Sequence, residues 1–188
     1  MGRQYIVFTS EYGSGARLIA RQLAETLDIP FYGEVDLLNE TAKYLEIDTQ
    51  VLHNFDQYGE VAEIDIEKII DGYQTVILNI VHKGPCILME RGADYILKDA
   101  VSFLNVYVYA PDIAKKIERA VKIAGQSEEN AKAFIQQQEQ SRAAFYQQYT
   151  DITRAELSEY DLCLNSDTLT GNALDMSICV DIIKSALQ

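Results

Sequence analysis

One segment near the N-terminus constrains the fold more than any other: an apolar run, a glycine-rich turn and then a helical pattern. Residues 5–9 (Y-I-V-F-T) are β-branched or aromatic, which is typical of a buried strand. Two glycines follow within residues 10–15, and from residue 16 to residue 27 apolar side chains recur every three or four positions. Residues 5–27 are therefore predicted to form a strand, a glycine loop and a helix.

The rest of the chain repeats the alternation of short apolar runs and helical patterns. Further strands are predicted at residues 30–33, 86–89, 105–110 and 161–165. Further helices are predicted at residues 35–45, 50–55, 64–81, 112–123, 127–149 and 173–187. Such an order predicts an α/β fold with a mostly parallel sheet that helices cover on both faces. Ligands bind such sheets beyond the carboxyl ends of the strands.

Composition narrows the class of protein. The chain has 188 residues, 48% of them hydrophobic, and its 16 Lys and Arg against 29 Asp and Glu leave a formal charge of −13. A chain of this length buries about 70% of its unfolded surface, which suffices for a single domain with a full core. The acidic balance argues against a surface that coats nucleic acid. No apolar run is long enough for a membrane span or a signal peptide, so we expect a cytoplasmic protein. Nothing in the pattern indicates the oligomeric state.

The cysteines and histidines do not form a metal-binding pattern. Cys86, Cys163 and Cys179 are widely spaced in apolar stretches, and we expect them to be buried thiols in a reducing compartment. His53 and His82 are far apart in the sequence and are expected at surface positions of helices rather than as metal ligands.

The glycine turn has the composition of a phosphate site. Gly13 and Gly15 allow the backbone to approach a ligand closely, and N–H groups at a helix start favour an anion. Ser14 can donate a hydroxyl, and Arg17 can bind phosphate oxygens in bidentate fashion. The alternative is an ordinary tight connection between a strand and a helix.

The chain resembles a known family over nearly its whole length. Residues 10–32 read S-E-Y-G-S-G-A-R-L-I-A-R-Q-L-A-E-T-L-D-I-P-F-Y. They resemble the signature R-E-Y-G-S-G-G-R-x-I-A-x-x-L-A-x-x-L-x-I-P-F-Y of the cytidylate kinase-like family, a branch of the P-loop nucleoside monophosphate kinases. Further similar segments follow in the family's order: E-R-G-A-D-Y-I-L (90–97), V-Y-A-P (108–111), K-I-E-R (116–119), S-R-A-A-F-Y (141–146) and Y-D-L-C-L-N-S (160–166).

This resemblance implies a fold and a domain plan. The fold is the three-layer sandwich of P-loop NTPases, with a five-stranded parallel sheet in the order 2-3-1-4-5. The implied single domain has a core of residues 1–32, 84–111 and 160–188. A helical insert at about 33–83 would bind the acceptor, and about 112–150 would form a mobile helical lid.

The resemblance also implies an activity. It is ATP-dependent phosphoryl transfer to a nucleoside monophosphate, most simply CMP or dCMP, with Mg²⁺ bridging the transferred phosphate. Such transfer depends on in-line positioning and on positive groups around the phosphoryl rather than on covalent help from the protein. Two alternatives stay open: a nucleotide-binding regulatory protein without catalysis, and a kinase of another small metabolite.

By the same resemblance, individual residues acquire expected roles. The donor phosphates would be held by Glu11, Tyr12, Gly13, Ser14, Gly15, Ala16 and Arg17. Three arginines would act in catalysis: Arg17, Arg119 and Arg142, the last two from the lid. Arg91 and Asp94 would face the acceptor.

Two carboxylates are candidates on the residues alone. Asp36 could hydrogen-bond an acceptor base or sugar, or could simply favour the start of a helix. Glu90 follows an apolar strand and could order a magnesium ion through water, or could be a solvated carboxylate at the end of the strand.

The chain also departs from familiar patterns. In an ordinary P-loop, G-x-x-x-x-G-K-[ST], Ala16 stands at the Lys position and Arg17 at the hydroxyl position, and the whole family shares the absence of that Lys. Catalytic activity therefore stays open at this stage. Ser10 stands where the family signature has Arg, Gly33 where it often has Asp, and Glu139 where its D-x-x-R pattern has Asp, while Lys116 lies near an expected lid Arg; each removes or softens a charge contact. Glu139 and Arg142 could form a surface ion pair instead of acting in the lid.

Overall fold

A computed structural model gives the structure of residues 4–58, 64–150, 154, 156–169 and 174–187. Its five strands are β1 (Tyr5–Ser10), β2 (Phe31–Tyr32), β3 (Ile87–Met89), β4 (Phe103–Tyr109) and β5 (Leu162–Asn165). They form one parallel sheet in the order β2-β3-β1-β4-β5, which confirms both the parallel arrangement and the strand order implied by the resemblance.

Helices connect and cover these strands. They are α1 (Ala16–Leu27), α2 (Glu34–Leu45), α3 (Thr49–Tyr58), α4 (Ile66–Val81), α5 (Ala93–Leu97), α6 (Ile113–Ala124), α7 (Glu128–Tyr149), α8 (Ser166–Leu169) and α9 (Ser177–Ala186). The bounds of the predicted helices are reproduced within a few residues; the start predicted at residue 173 lies outside the described residues. The short helices α5 and α8 were not predicted, because four or five residues are too few to show a helical period.

Successive side chains of β1 belong to two different cores, because they point to opposite faces of the sheet. Ile6 and Phe8 are buried against α1 and α9, whereas Val7 is buried against the side that α2, α3 and α4 cover. The sheet is therefore covered on both faces, as the apolar strands predict. Its carboxyl edge remains open where β1 passes into the glycine turn.

The long helix α7 joins two parts of the molecule. Its N-terminal half packs on α6 through Ala131 and Ile135, which contact Ala120. Its C-terminal half inserts Phe145 between Phe55 and Tyr73, with edge-on ring contacts of 6.3 and 5.6 Å between centroids. The helix is polar overall, yet both of its ends are held by buried apolar contacts.

Local signals explain where α6 and α7 begin and end. Asp112 accepts a hydrogen bond from the Ala114 N–H at 2.9 Å and caps α6. Gly125 ends α6 with a φ of +66°, a conformation that favours glycine, and it separates the two helices as expected.

The cysteines follow the prediction in part. Cys86 and Cys179 are buried, and burial raises the pKa of the Cys86 thiol to about 11. The expectation of burial is wrong for Cys163, which is half-buried because β5 is the edge strand of the sheet. His53 and His82 are exposed, the first within α3 and the second at the end of α4.

Across the ranges that the structure describes, no helix combines the length and the apolar character that crossing a membrane requires.

Candidate functional site

A cleft of about 340 Å³ opens at the carboxyl end of β1. Its floor is the turn of residues 10–16, and its walls come from the first turns of α1 and α2 and from α6 and α7. Four arginines line it: Arg17, Arg21, Arg119 and Arg142. The parallel topology places this cleft where sheets of this kind bind ligands.

The turn itself adopts the geometry of an anion cradle. Gly13 and Gly15 have φ values of +76° and +87°, and the Ser14 N–H donates to the Glu11 carbonyl at 3.1 Å. Gly15 occupies the cap position of α1 and has no side chain, and the Ala16 N–H donates to the Ser14 hydroxyl at 3.4 Å. The positive end of the helix dipole and the N–H groups of the first turn face this point, where a phosphate can sit.

Neighbouring elements hold the turn in place. The Arg119 Nη1 donates to the Gly13 carbonyl at 2.8 Å, and the Ser166 hydroxyl donates to the Ser14 carbonyl at 2.7 Å. Met176 packs so closely that a Cβ on Gly15 would lie 2.2 Å from its Cε atom. The conformation of the turn thus depends on α6, α8 and the residues just before α9.

Arg119 lies behind the turn. Only 2% of it is exposed, and its Nη2 forms an ion pair with the Asp167 Oδ1 at 3.6 Å. Burial lowers the pKa of its guanidinium, and Asp167 opposes that effect. Its contacts hold the Gly13 carbonyl, so the predicted catalytic arginine is placed where it positions the turn.

Glu11, one of the predicted phosphate-binding residues, also has a positioning contact. Its Oε2 accepts hydrogen bonds from the Ala110 N–H at 2.9 Å and from the Lys116 Nζ at 2.7 Å. The carboxylate therefore links the turn to the end of β4 and to α6.

Arg17 and Arg142 both line the cleft but differ in their ion-pair partners. Among the residues that the structure describes, Arg17 has no carboxylate partner, and its Nη2 lies near Gly33. Arg142, by contrast, pairs with the Glu34 Oε1 at 2.7 Å and donates to the Ser10 carbonyl at 3.2 Å. Its guanidinium also lies 5.1 Å from the centre of the Tyr12 ring.

Glu34 is an ionised carboxylate at the first turn of α2. Burial would raise its pKa, but the charges of Arg142 and, to a smaller extent, of Arg91, Arg17 and Arg154 outweigh burial and leave the pKa below its usual range. The cleft therefore presents a cation and an anion together at this wall.

A second ion pair, between Glu90 and Arg154, contacts Ser10 at the end of β1. The Glu90 Oε1 accepts from the Ser10 N–H at 2.8 Å and from the Ser10 hydroxyl at 3.0 Å. The Arg154 Nη2 lies 3.1 Å from both Glu90 oxygens and also donates to the Ser10 carbonyl. All three polar groups of Ser10 are thus held by one ion pair.

Arg154 also binds a residue of α7. Its Nη1 donates to the Glu139 Oε2 at 3.3 Å, and the other Glu139 oxygen accepts a hydrogen bond from the Tyr12 N–H. Burial would lower the pKa of Arg154, but Glu90 and Glu139 outweigh it and raise the pKa. Glu139 and Arg142 therefore do not form the surface pair considered above, because each has partners elsewhere.

Sequence reasoning missed Arg154. It lies twelve positions beyond Arg142, outside every predicted element and motif. No local pattern marks it, since its partners Ser10 and Glu90 are distant in the sequence. Only the folded chain brings the three together.

The three predicted acceptor residues do not line this cleft. The exposed Asp36 accepts a hydrogen bond from the Gly33 N–H at 2.8 Å, which stabilises the start of α2. The Arg91 guanidinium lies 4.7 Å from the centre of the Phe145 ring. Asp94 is buried, accepts a hydrogen bond from the Tyr146 hydroxyl at 2.6 Å and has its pKa raised chiefly by burial.

Comparison with known proteins agrees with this architecture. A model of the cytidylate kinase-like family matches residues 5–168. A cytidylate kinase of Methanosarcina barkeri is 28% identical over 180 residues, which are 94% of this chain and 92% of that one. A cytidylate kinase of Methanoregula boonei is 30% identical over 163 residues, 82% and 81% of the two chains.

Solved structures show the same fold. An uncharacterized protein from Eubacterium ventriosum superimposes with a TM-score of 0.73 at 22% identity and covers 97% of both chains. A shikimate kinase from Bacteroides thetaiotaomicron does so with a TM-score of 0.59 at 15% identity, again over 97% of both chains. Together with the match over residues 5–168, the sheet order and the glycine turn place the chain in the cytidylate kinase-like family.

Proposed function

We propose that this protein transfers the terminal phosphoryl group of MgATP to a nucleoside monophosphate, with CMP or dCMP as the acceptor. One observation carries the proposal: the glycine turn at the start of α1 opens into the cleft directly beside Arg17, a half-buried cation with no carboxylate partner among the described residues. The acceptor is taken from the relatives, which are named cytidylate kinases.

The donor phosphates would bind over residues 11–17. The N–H groups at the start of α1 would contact their oxygens, and the Arg17 guanidinium would bind two oxygens at once. Ser14 and Ala16 are buried in the turn and shape it. Arg119 would act indirectly in this scheme, because it holds the Gly13 carbonyl.

The described carboxylates around the cleft do not suit a resident magnesium ion. Glu11 is bound by Lys116, Glu34 by Arg142 and Glu90 by Arg154. Among the described residues no group of three potential ligands could hold a metal. We therefore treat magnesium as part of the nucleotide substrate, and we assign Glu90 to the ion pair rather than to the metal.

Arg142 would neutralise charge on the transferring phosphoryl group. It already lies in the cleft, and a phosphate could replace the Glu34 carboxylate as its partner. Positive groups that meet the phosphoryl in its transition state supply most of the catalysis in reactions of this kind.

The acceptor and lid assignments remain part of the proposal. Residues 33–83 would bind the acceptor, together with Asp36, Arg91 and Asp94, and residues 112–150 would close over the nucleotides. Because Phe145 is anchored in the core and Arg119 of α6 holds the turn, closure would involve the segment around Gly125 and the N-terminal half of α7.

A panel of nucleoside monophosphates with ATP and magnesium tests the proposal. ADP formation that requires CMP or dCMP is the expected result. ADP formation that requires another acceptor would support phosphoryl transfer but contradict CMP or dCMP as the acceptor. The panel should therefore also include small hydroxylated metabolites.

A nucleotide-binding protein without catalysis is the second candidate function, because Ala16 stands where an ordinary P-loop has its Lys. Tight ATP binding without ADP formation for any acceptor would support this second candidate function.

A further inference from the structure

We infer that Glu139 is an internal competitor for the phosphate of the ligand and so sets the affinity of the glycine turn for anions. The inference rests on the proposed function in one respect, because it takes the turn to be the phosphate site. It adds a residue that limits binding instead of providing it.

The position of the carboxylate carries the inference. Glu139 belongs to α7, far from the turn in sequence, yet it accepts a hydrogen bond from the Tyr12 N–H. That N–H precedes Gly13 and Gly15, whose left-handed conformations form the cradle. An acidic side chain of the protein thus occupies a donor at the mouth of an anion site.

A second contact makes the arrangement persistent. The other oxygen of Glu139 accepts a hydrogen bond from the Arg154 Nη1 at 3.3 Å, and Arg154 is itself fixed by Glu90. Arg154 is 7% exposed, so this partner is not a freely moving surface side chain. The carboxylate is therefore held in place by the ion pair that also fixes Ser10.

The consequence follows from competition and repulsion. A phosphate that reaches the Tyr12 N–H must displace the carboxylate, and a phosphate that does not displace it lies beside a like charge. The apparent affinity for an anion is lower when Glu139 leaves the turn free in a smaller fraction of the molecules. Removal of the charge should therefore strengthen the binding of anions, whereas removal of a phosphate-binding residue weakens it.

Calorimetric titration with inorganic pyrophosphate and with ATP tests the inference. Glu139→Gln keeps the size of the side chain and removes its charge, and we expect it to bind both ligands about tenfold more tightly than the wild type. Glu129→Gln is the matched control, because Glu129 is an exposed residue of the same helix and the change in net charge is identical. We expect the control to bind as the wild type does.

Glu139→Asp provides a second variant in case Glu139→Gln does not fold. It keeps the charge but shortens the reach to the Tyr12 N–H, so we expect an intermediate gain in affinity and faster amide hydrogen exchange at Tyr12. Equal or weaker pyrophosphate binding in both variants, or no binding in any of them, would overturn the inference. Binding that tightens as expected without ADP formation would contradict only the proposed transfer reaction.

Discussion

The glycine turn and the ion-paired residues beside it, here called the turn side and the wall, present different chemical groups to a ligand. The turn side consists of backbone groups and of Arg17, which has no carboxylate partner among the described residues. The ion-paired wall consists of Arg142 with Glu34, which line the cleft, and of Arg154 with Glu90, which lie beside the cleft at Ser10. Apart from the Tyr12 N–H, which Glu139 occupies, the backbone cradle can bind an anion without exchanging a partner, whereas a paired arginine must exchange a carboxylate for the ligand. The comparison predicts that the wall contributes chiefly to stability and to the chemical step, and the turn to binding.

The largest expected effect lies in the wall. Arg154→Met removes the closer of the two cations of Glu90, which is 6% exposed, and leaves only the Arg142 Nη1 at 3.6 Å, so we expect a loss of about 3 kcal/mol in the free energy of unfolding. Urea denaturation of the wild type and the variant measures this difference in the free energy of unfolding. Lys122→Met is the control, since Lys122 pairs with Glu118 on the surface, and it should cost under about 0.5 kcal/mol. A similar small cost for both would show that the wall does not depend on its buried charges.

The second effect separates catalysis from binding. Arg142→Ala should lower kcat by about a hundredfold and change the affinity for ATP much less, because the guanidinium acts on charge that develops during transfer. Steady-state kinetics and ATP titration measure the two quantities, with the exposed Lys132→Ala on the same helix as control. Wild-type kcat would contradict the catalytic role. If the wild type shows no turnover, nucleotide-dependent hydrogen exchange in residues 112–150 replaces kinetics, and no change there would contradict closure.

The third effect tests the backbone of the turn. Gly15→Ala should cost about 1–2 kcal/mol for the left-handed conformation and about 1 kcal/mol more because Met176 must move. Gly125→Ala is the matched control, because its φ is also positive but a Cβ there has no neighbour within 4 Å. Thermal or urea unfolding gives both values. Equal costs would show that the contact with Met176 does not constrain the turn.

The fourth effect concerns ligand binding by the turn side. Arg17→Ala should weaken ATP binding by about 1.5–3 kcal/mol, and Arg17→Lys should weaken it less, because a charge-assisted contact is lost in the first and only its bidentate geometry in the second. Titration calorimetry measures this, with the exposed Lys43→Ala as control. Unchanged affinity in both Arg17 variants would place this side chain outside the phosphate site.

The smallest effect is a pH dependence of the stability that the Glu34 charge contributes. The folded pKa of Glu34 lies below its ordinary value of 4.5, because Arg142 and other arginines outweigh burial. Its contribution to stability is therefore complete above that ordinary value and is lost as the pH falls through the folded pKa. The stability difference between the wild type and Glu34→Gln should shrink accordingly in acid. A difference that is independent of pH in urea unfolding would contradict the pairing with Arg142.

The turn side was largely predictable because its parts are neighbours in sequence. The strand, both glycines, Arg17 and the helix that starts at Ala16 all fall within residues 5–27. The alternation of β1 side chains between the two faces of the sheet and the period of α1 are local consequences of backbone geometry. The wall was not predictable in the same way, since Ser10, Glu90 and Arg154 meet across 64 to 144 positions of the chain.

Contacts with remote segments were not predictable for individual residues either. Arg119 is expected to act in catalysis from the lid, and its burial against Asp167 and the Gly13 carbonyl was not visible in the spacing of α6. Cys163 was expected to be buried because its neighbours are apolar, but an edge strand leaves it half-exposed. A residue type and its local pattern do not reveal which neighbour will cover it.

The sequence by itself determined the class of fold, the parallel character of the sheet and the location of the glycine turn at its carboxyl edge. These properties follow from hydrophobic periods and from glycine conformations, which act over a few residues. The tertiary structure alone decided that Arg142 and Arg154 are paired with Glu34 and Glu90, and that Glu139 reaches the Tyr12 N–H. The strength of a charge interaction depends on distance and on desolvation, and both are set only when remote segments pack together.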